Sequence, residues 1–131
     1  MDIGDGAHIE TGCWFGGPDI SIGDGCIIGR GSIFDNCAPI RLERGAMIGT
    51  RVTLITSNHE IGAAARRVGA MKAAPITVGE GAWVGTNVTL LPGVTVGAGC
   101  VVAAGAIVTA DCERNGLYVG VPAKLVRMLP E

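Results

Sequence analysis

Residues 78–113 read VGEGAW VGTNVT LLPGVT VGAGCV VAAGAI VTADCE: six hexads in succession, each opening on an aliphatic residue. A period of six matches neither the 3.6-residue turn of a helix nor the two-residue alternation of a simple strand. It matches a short strand followed by a corner. Three such units close a triangular coil of about 18 residues, and coils stack at the strand spacing of about 4.8 Å. The same pattern runs upstream, opening at Ile3, Ile9 and Phe15, at Ile22, Ile28 and Phe34, and at Leu42, Ile48 and Leu54.

Stacking these coils predicts three ladders. Ile3, Ile22, Leu42, Val78 and Val96 line one face; Ile9, Ile28, Ile48, Val84 and Val102 a second; Phe15, Phe34, Leu54, Leu90 and Val108 the third. Both phenylalanines fall on the third ladder, which supports the register. The fifth position of each hexad also points inward and is small on the first face: Ala7, Cys26, Ala46, Ala82 and Cys100. The expected fold is all-β, a parallel β-helix of about five triangular coils.

Three interruptions break the period. One residue is added near Pro18-Asp19 and two near Ala38-Pro39, each short enough to bulge from a corner. Residues 58–75 do not fit the repeat at all, and so long an insertion in a regular solenoid points to function. The β-helix is expected over 1–112, with this segment looped out. A tail over 113–131 is read as an extended piece at Leu117–Pro122 and then a short helix from Pro122 to Leu129. Proline would stand at the first position of that helix, which would cap the solenoid's open end.

Composition narrows the classes. Hydrophobic residues make up 48 % and charged residues 17 %, against roughly 25 % charged in an average domain, and the net charge is −2. A sparsely charged, aliphatic surface predicts packing against copies of the same chain. No basic patch suggests nucleic acid. No apolar run reaches the ~20 residues of a membrane span. Cys13, Cys26, Cys37, Cys100 and Cys112 show no metal-type spacing, and four of them hold the inward fifth position. They read as small core filler, reduced, in a cytoplasmic protein.

The chain resembles the hexapeptide-repeat acetyltransferases, and within them the maltose/galactoside and surface-polysaccharide O-acetyltransferase branch. The motifs that carry the likeness are Leu54-Ile55-Thr56-Ser57-Asn58-His59-Glu60, the arginine-bearing insertion, Ile76–Asn87, Leu91–Gly97, Val101–Asp111 and Gly120–Lys124. The resemblance implies a left-handed coil, a homotrimer with sites between subunits, and acetyl-CoA as acyl donor without a metal. It implies transfer to a hydroxyl of a small-molecule acceptor, a sugar or saccharide. N-acetylation of an amino sugar on a nucleotide is the runner-up.

Acetyl transfer from a thioester needs a base on the acceptor and room for the CoA arm. Histidine suits the first task, and the chain has only His8 and His59. His8 falls on an outward surface position. His59 opens the insertion, where the resemblance places the catalytic base. By the same likeness, Asp35, Asn58, Glu60 and Trp83 are candidates for acceptor binding, with Asp35 or Glu60 alternatively orienting His59. Trp83, Gly85, Ala103, Gly105, Lys124 and Arg127 are candidates for holding CoA: small residues for the pantetheine, cations for its phosphates. Against these stand blander readings: subunit packing for Trp83, tight corners for the small residues, solvation for the cations. Arg66, Arg67 and Lys72 are further candidates for an anionic group. The oxyanion donor stays open, because Arg30 or Gly31 stands where several relatives carry asparagine. A γ-type carbonic anhydrase needs three histidine ligands, which this chain does not supply. Serine acetyltransferases carry a helical domain that is absent here. A non-catalytic trimeric scaffold is the remaining rival.

Overall fold

The computed structural model describes all 131 residues. Coil one holds β1 (Asp2–Ile3), β2 (His8–Ile9) and β3 (Trp14–Phe15); coil two β4 (Ile20–Ile22), β5 (Ile27–Ile28) and β6 (Ile33–Asp35); coil three β7 (Ile40–Leu42), β8 (Met47–Ile48) and β9 (Thr53–Ile55). An insertion follows as β10 (Ser57–Ile61) and β11 (Val68–Ala73). Coil four holds β12 (Ile76–Val78), β13 (Trp83–Val84) and β14 (Thr89–Leu90), and coil five β15 (Thr95–Val96), β16 (Val101–Val102) and β17 (Ile107–Val108). The chain ends with β18 (Gly116–Val119) and β19 (Lys124–Met128).

The fold is a parallel β-helix with three sheets. The first has the order β1-β4-β7-β12-β15, the second β19-β18-β16-β13-β8-β5-β2, the third β17-β14-β9-β6-β3. All three ladders form in the expected register, for instance Leu42 against Val78, Val84 against Val102 and Phe34 against Leu54. The core is the prism interior, filled by these aliphatic residues and the small fifth-position residues. Phe34 is fully buried and stacks on Phe15 with ring centroids 4.9 Å apart. In coil one, Ile9 and Phe15 are only partly buried, because a second coil covers them on one side alone.

The inward thiols do more than fill space. Cys26 Sγ donates to the Glu43 carbonyl at 3.0 Å and Cys100 Sγ to the Glu113 carbonyl at 2.7 Å, while Ser32 Oγ in the same repeat position donates to the Gly49 carbonyl at 3.0 Å. Each ties one coil to the next. Burial pushes the Cys26 and Cys100 thiols up, so the donating proton is retained.

Coils pack too closely at some corners for any side chain but hydrogen. A Cβ on Gly29 would lie 2.5 Å from the Gly49 carbonyl group of the next coil. Another corner position needs a positive φ. Gly31 meets it at 70°, but Arg51 and Asn87 meet it at 52° and 60° in the next two coils. The Arg51 Nε donates to Asn87 Oδ1 at 3.2 Å, a contact that links these two strained residues.

Three expectations change. A sixth coil is begun beyond the five: Cys112 bridges to Val96, and β18 pairs parallel with β16. The insertion is an antiparallel hairpin, pairing Ser57 with Ala73, Asn58 with Lys72 and His59 with Met71. The helix expected from Pro122 is absent. Lys124–Met128 is a strand folded back antiparallel on β18. So short a helix is marginal alone, and as a strand all five of these residues stay exposed. The open edge of β18 instead offers backbone partners, and Gly120 at φ 103° makes the turn back to them.

Candidate functional site

His59 projects from the hairpin where it leaves the third coil, and its side chain is exposed. Its Nδ1 lies 3.0 Å from the Gly69 carbonyl oxygen on the opposing strand. A carbonyl only accepts, so the neutral ring carries its proton on Nδ1. Nε2 is left with a free lone pair, as a base requires. Asn58 Oδ1 accepts from the His59 N–H at 2.8 Å and so braces the backbone beside the ring. The pairing shifts register between His59 and Ile61, a bulge that brings Gly69 beside the ring.

The sequence-derived candidates divide into two groups. Asn58, His59 and Glu60 are consecutive on β10, which leaves the corner between the third and first sheets, and Asp35 meets the root of that strand. There Asp35 Oδ2 accepts from Ser57 Oγ at 3.2 Å, and Glu60 pairs with Lys72 at 3.4 Å. The atom that orients the His59 ring is thus the Gly69 carbonyl, not the Asp35 or Glu60 carboxylate. The pair Glu60–Lys72 is exposed on both sides and contributes little to stability. Arg67 folds onto the Gly62 carbonyl at 3.2 Å, which closes the hairpin tip.

The second group lies on another side of the prism. Trp83 stands on the outer face of the second sheet, 51 % exposed, in register with Met47 and Val101. Gly85, Ala103 and Gly105 follow at the adjoining corner. A Cβ on Gly85 would meet the Ala104 nitrogen and the Val102 oxygen at 2.9 Å, so tight coil stacking demands glycine there. Lys124 and Arg127 do not share a helix face; they sit on β19, opposite Val119 and Leu117. Three residues apart on a regular strand they would point to opposite faces. The register shift opposite Leu117/Tyr118 adds one residue, and both fall on the side of Leu117 and Val119.

Two contributors carried little signal in sequence. Gly69 acts through its carbonyl, which no residue type announces, although a glycine inside a strand marks a close backbone approach. Met71, cross-strand from His59 and exposed, continues into Ile61 and Val68, an apolar surface beside the ring. No group of three or more His, Cys, Asp and Glu side chains is placed to hold a metal ion. A cavity of about 450 Å³ lies at the opposite corner, lined by Glu43, Glu80, Arg114 and Asn115 among others, and includes none of the candidates.

Two family models match the chain: the bacterial transferase hexapeptide (six repeats) over residues 75–110 and the hexapeptide repeat of succinyl-transferase over residues 19–54. Galactoside O-acetyltransferase of Escherichia coli is 32 % identical over 126 residues, covering 95 % of this chain and 62 % of that protein. A galactoside acetyltransferase solved with coenzyme A superposes with a TM-score of 0.93 at 31 % identity, over 98 % of this chain and 65 % of that one. A hexapeptide-repeat acetyltransferase of Vibrio cholerae solved with acetyl coenzyme A gives 0.91 at 29 %, over 99 % and 72 %. The chain spans about half to two thirds of the length of the curated relatives it matches. Both repeat models and superpositions over 98–99 % of its length agree on the coil, and the chain therefore belongs to the hexapeptide-repeat transferase family, on the branch of the galactoside and maltose O-acetyltransferases.

Proposed function

We propose that this protein transfers the acetyl group of acetyl-CoA to a hydroxyl of a sugar or saccharide, with His59 as general base. The observation that carries the reading is the His59 Nδ1 to Gly69 carbonyl contact at 3.0 Å, which leaves Nε2 free. Nε2 takes the proton of the acceptor hydroxyl as its oxygen attacks the thioester carbonyl carbon. The C–S bond then breaks, and the departing CoA sulfur receives the proton back from the imidazolium. The likeness to relatives bound to CoA and to galactoside enzymes supports both donor and acceptor class.

The site forms between subunits of a cytoplasmic homotrimer. In support, Ile27, Met47 and Trp83 line an exposed apolar strip on the second sheet, and Ile61, Val68 and Met71 one on the hairpin. One subunit's hairpin facing a neighbour's second sheet would bring His59 toward Trp83, Gly85, Ala103 and Gly105. Lys124 and Arg127 are then placed for the CoA phosphates. Asp35, Asn58 and Glu60 lie on the acceptor's side.

Calorimetry with acetyl-CoA, run with a transfer assay on a panel of neutral and amino sugars, tests the reading. His59→Ala is expected to bind acetyl-CoA like the native protein and to lose about 10²- to 10⁴-fold in rate. Absence of binding in the native protein would refute the transferase reading and leave the scaffold. Turnover of amino sugars alone would reassign the reaction to N-acetylation.

A further inference from the structure

The root of the hairpin holds a hydroxyl that the proposed chemistry does not touch. Thr56 is fully buried, one of few polar side chains inside the coil. Its Oγ1 accepts from the Cys37 and Ala38 N–H groups at 2.7 and 3.1 Å and donates to the Asp35 carbonyl at 3.0 Å. Its own N–H also donates to the Asp35 carbonyl at 3.0 Å, and its carbonyl accepts from the Ala74 N–H at 2.9 Å. Beside it, Ser57 Oγ donates to Asp35 Oδ2.

These contacts join three pieces of chain. Ala74 is the exit of the hairpin and Thr56 its entry, so their bond closes the base. Residues 35–38 are the corner of the coil beneath, where the extra residues near Ala38-Pro39 interrupt the repeat. The same hydroxyl thus satisfies the irregular backbone below and fixes the direction in which the strand to His59 departs. An aliphatic residue would fill the space and leave two N–H groups without their acceptor. We propose that Thr56 is a positioning residue for His59, setting where the hairpin holds the imidazole relative to the coil. This rests on the general-base reading of His59.

Misplacing a catalytic group by about 1 Å costs on the order of 10²-fold in rate. Thr56→Val keeps shape and volume but removes the hydroxyl, whereas Thr56→Ser keeps it. The experiment uses the full chain, with coenzyme A as probe and the His59 ring followed by NMR. Only His8 competes for assignment, and His59→Ala resolves it. In the native protein, coenzyme A is expected to shift the His59 resonances. In Thr56→Val the coenzyme is expected to bind with unchanged affinity but leave them unshifted, and kcat for acetyl transfer is expected to fall about 10- to 100-fold at unchanged KM for acetyl-CoA. Thr56→Ser is expected to restore both. A general loss of stability would not divide kcat from KM in this way. Should Thr56→Val fail to fold, Ser57→Ala severs the second tie to Asp35 and is expected to weaken the same two signals. Normal His59 shifts and normal kcat in a folded Thr56→Val or in Ser57→Ala would overturn the proposal and leave the general base standing. Failure of coenzyme A to shift His59 in the native protein would overturn the general-base reading, and this proposal with it.

Discussion

Gly69→Ala tests the orientation of the histidine directly. A Cβ at this position would lie 2.7 Å from the Glu60 carbonyl oxygen and 3.3 Å from the Glu60 Cβ. Even tight Cβ contacts begin at 3.0–3.4 Å, so β10 and β11 must separate by about 0.3–0.7 Å. The obstructing atom is backbone, and no rotamer change relieves it. The Gly69 φ lies outside the left-handed region, so alanine is sterically excluded without being conformationally strained. The Gly69 carbonyl moves with its strand. The Nδ1 contact, now 3.0 Å, lengthens toward about 3.5 Å, where little of a hydrogen bond remains. The bond itself contributes only about 1 kcal/mol, but the tautomer depends on it. Without it, the ring distributes between two neutral forms, one of which has its Nε2 lone pair blocked by a proton. The expected result is loss of the pure Nδ1–H form in long-range ¹H–¹⁵N spectra, together with a fall in kcat of about 10- to 100-fold. A Gly69→Ala protein that keeps the Nδ1–H form and the native rate would refute the reasoning.

Other expectations concern the core, the thiols and the surface. Phe34→Ala should cost about 3–5 kcal/mol in urea unfolding, because Phe34 is fully buried between Phe15 and Leu54; Phe15→Ala, at the partly covered first coil, should cost less. Thiol labelling of the native protein should modify exposed Cys37 first and reach Cys26, Cys100 and Cys112 only on unfolding. The Cys112 thiol is pushed up to about 12 from an ordinary value of 9.0, by burial first and then by the charges of Cys100 and Asp111. Its folded pKa is raised, so its contribution to stability is complete below 9.0 and is lost as pH climbs toward about 12. Urea midpoints should therefore fall more steeply over that window in the native protein than in Cys112→Ala. Met47→Glu, at the middle of the apolar strip on the second sheet, should convert the proposed trimer to smaller species in sedimentation; an oligomer unchanged by the substitution would place the interface elsewhere.

Most of the fold was legible because a hexad repeat is a strong local signal that neighbouring coils reinforce. The aliphatic residue opening each hexad has one place to go, and the ladders from Ile22 to Val96 and from Phe34 to Val108 form as the spacing requires. His59 was legible as a candidate because the chain has so few histidines and this one interrupts the repeat. Lys124 and Arg127 illustrate the limit. Residues 122–129 carry helix-compatible residues and a proline start, yet a sheet edge decides their state. That edge exists only once β18 has stacked on β16.

The sequence by itself determined the period, hence the coil, the inward residues and the place where the coil is broken. Each follows from chain-local geometry repeated often enough to be unambiguous. Only the tertiary structure decided that the insertion is a hairpin, that the Gly69 carbonyl sets the His59 tautomer, and that the Thr56 hydroxyl anchors the root. Those contacts join positions 10 to 21 residues apart through backbone atoms, and backbone atoms are the same in every residue. Their meeting is fixed by packing, which marks residue type only at Gly69, where a side chain would not fit, and at Thr56, whose hydroxyl the corner backbone uses.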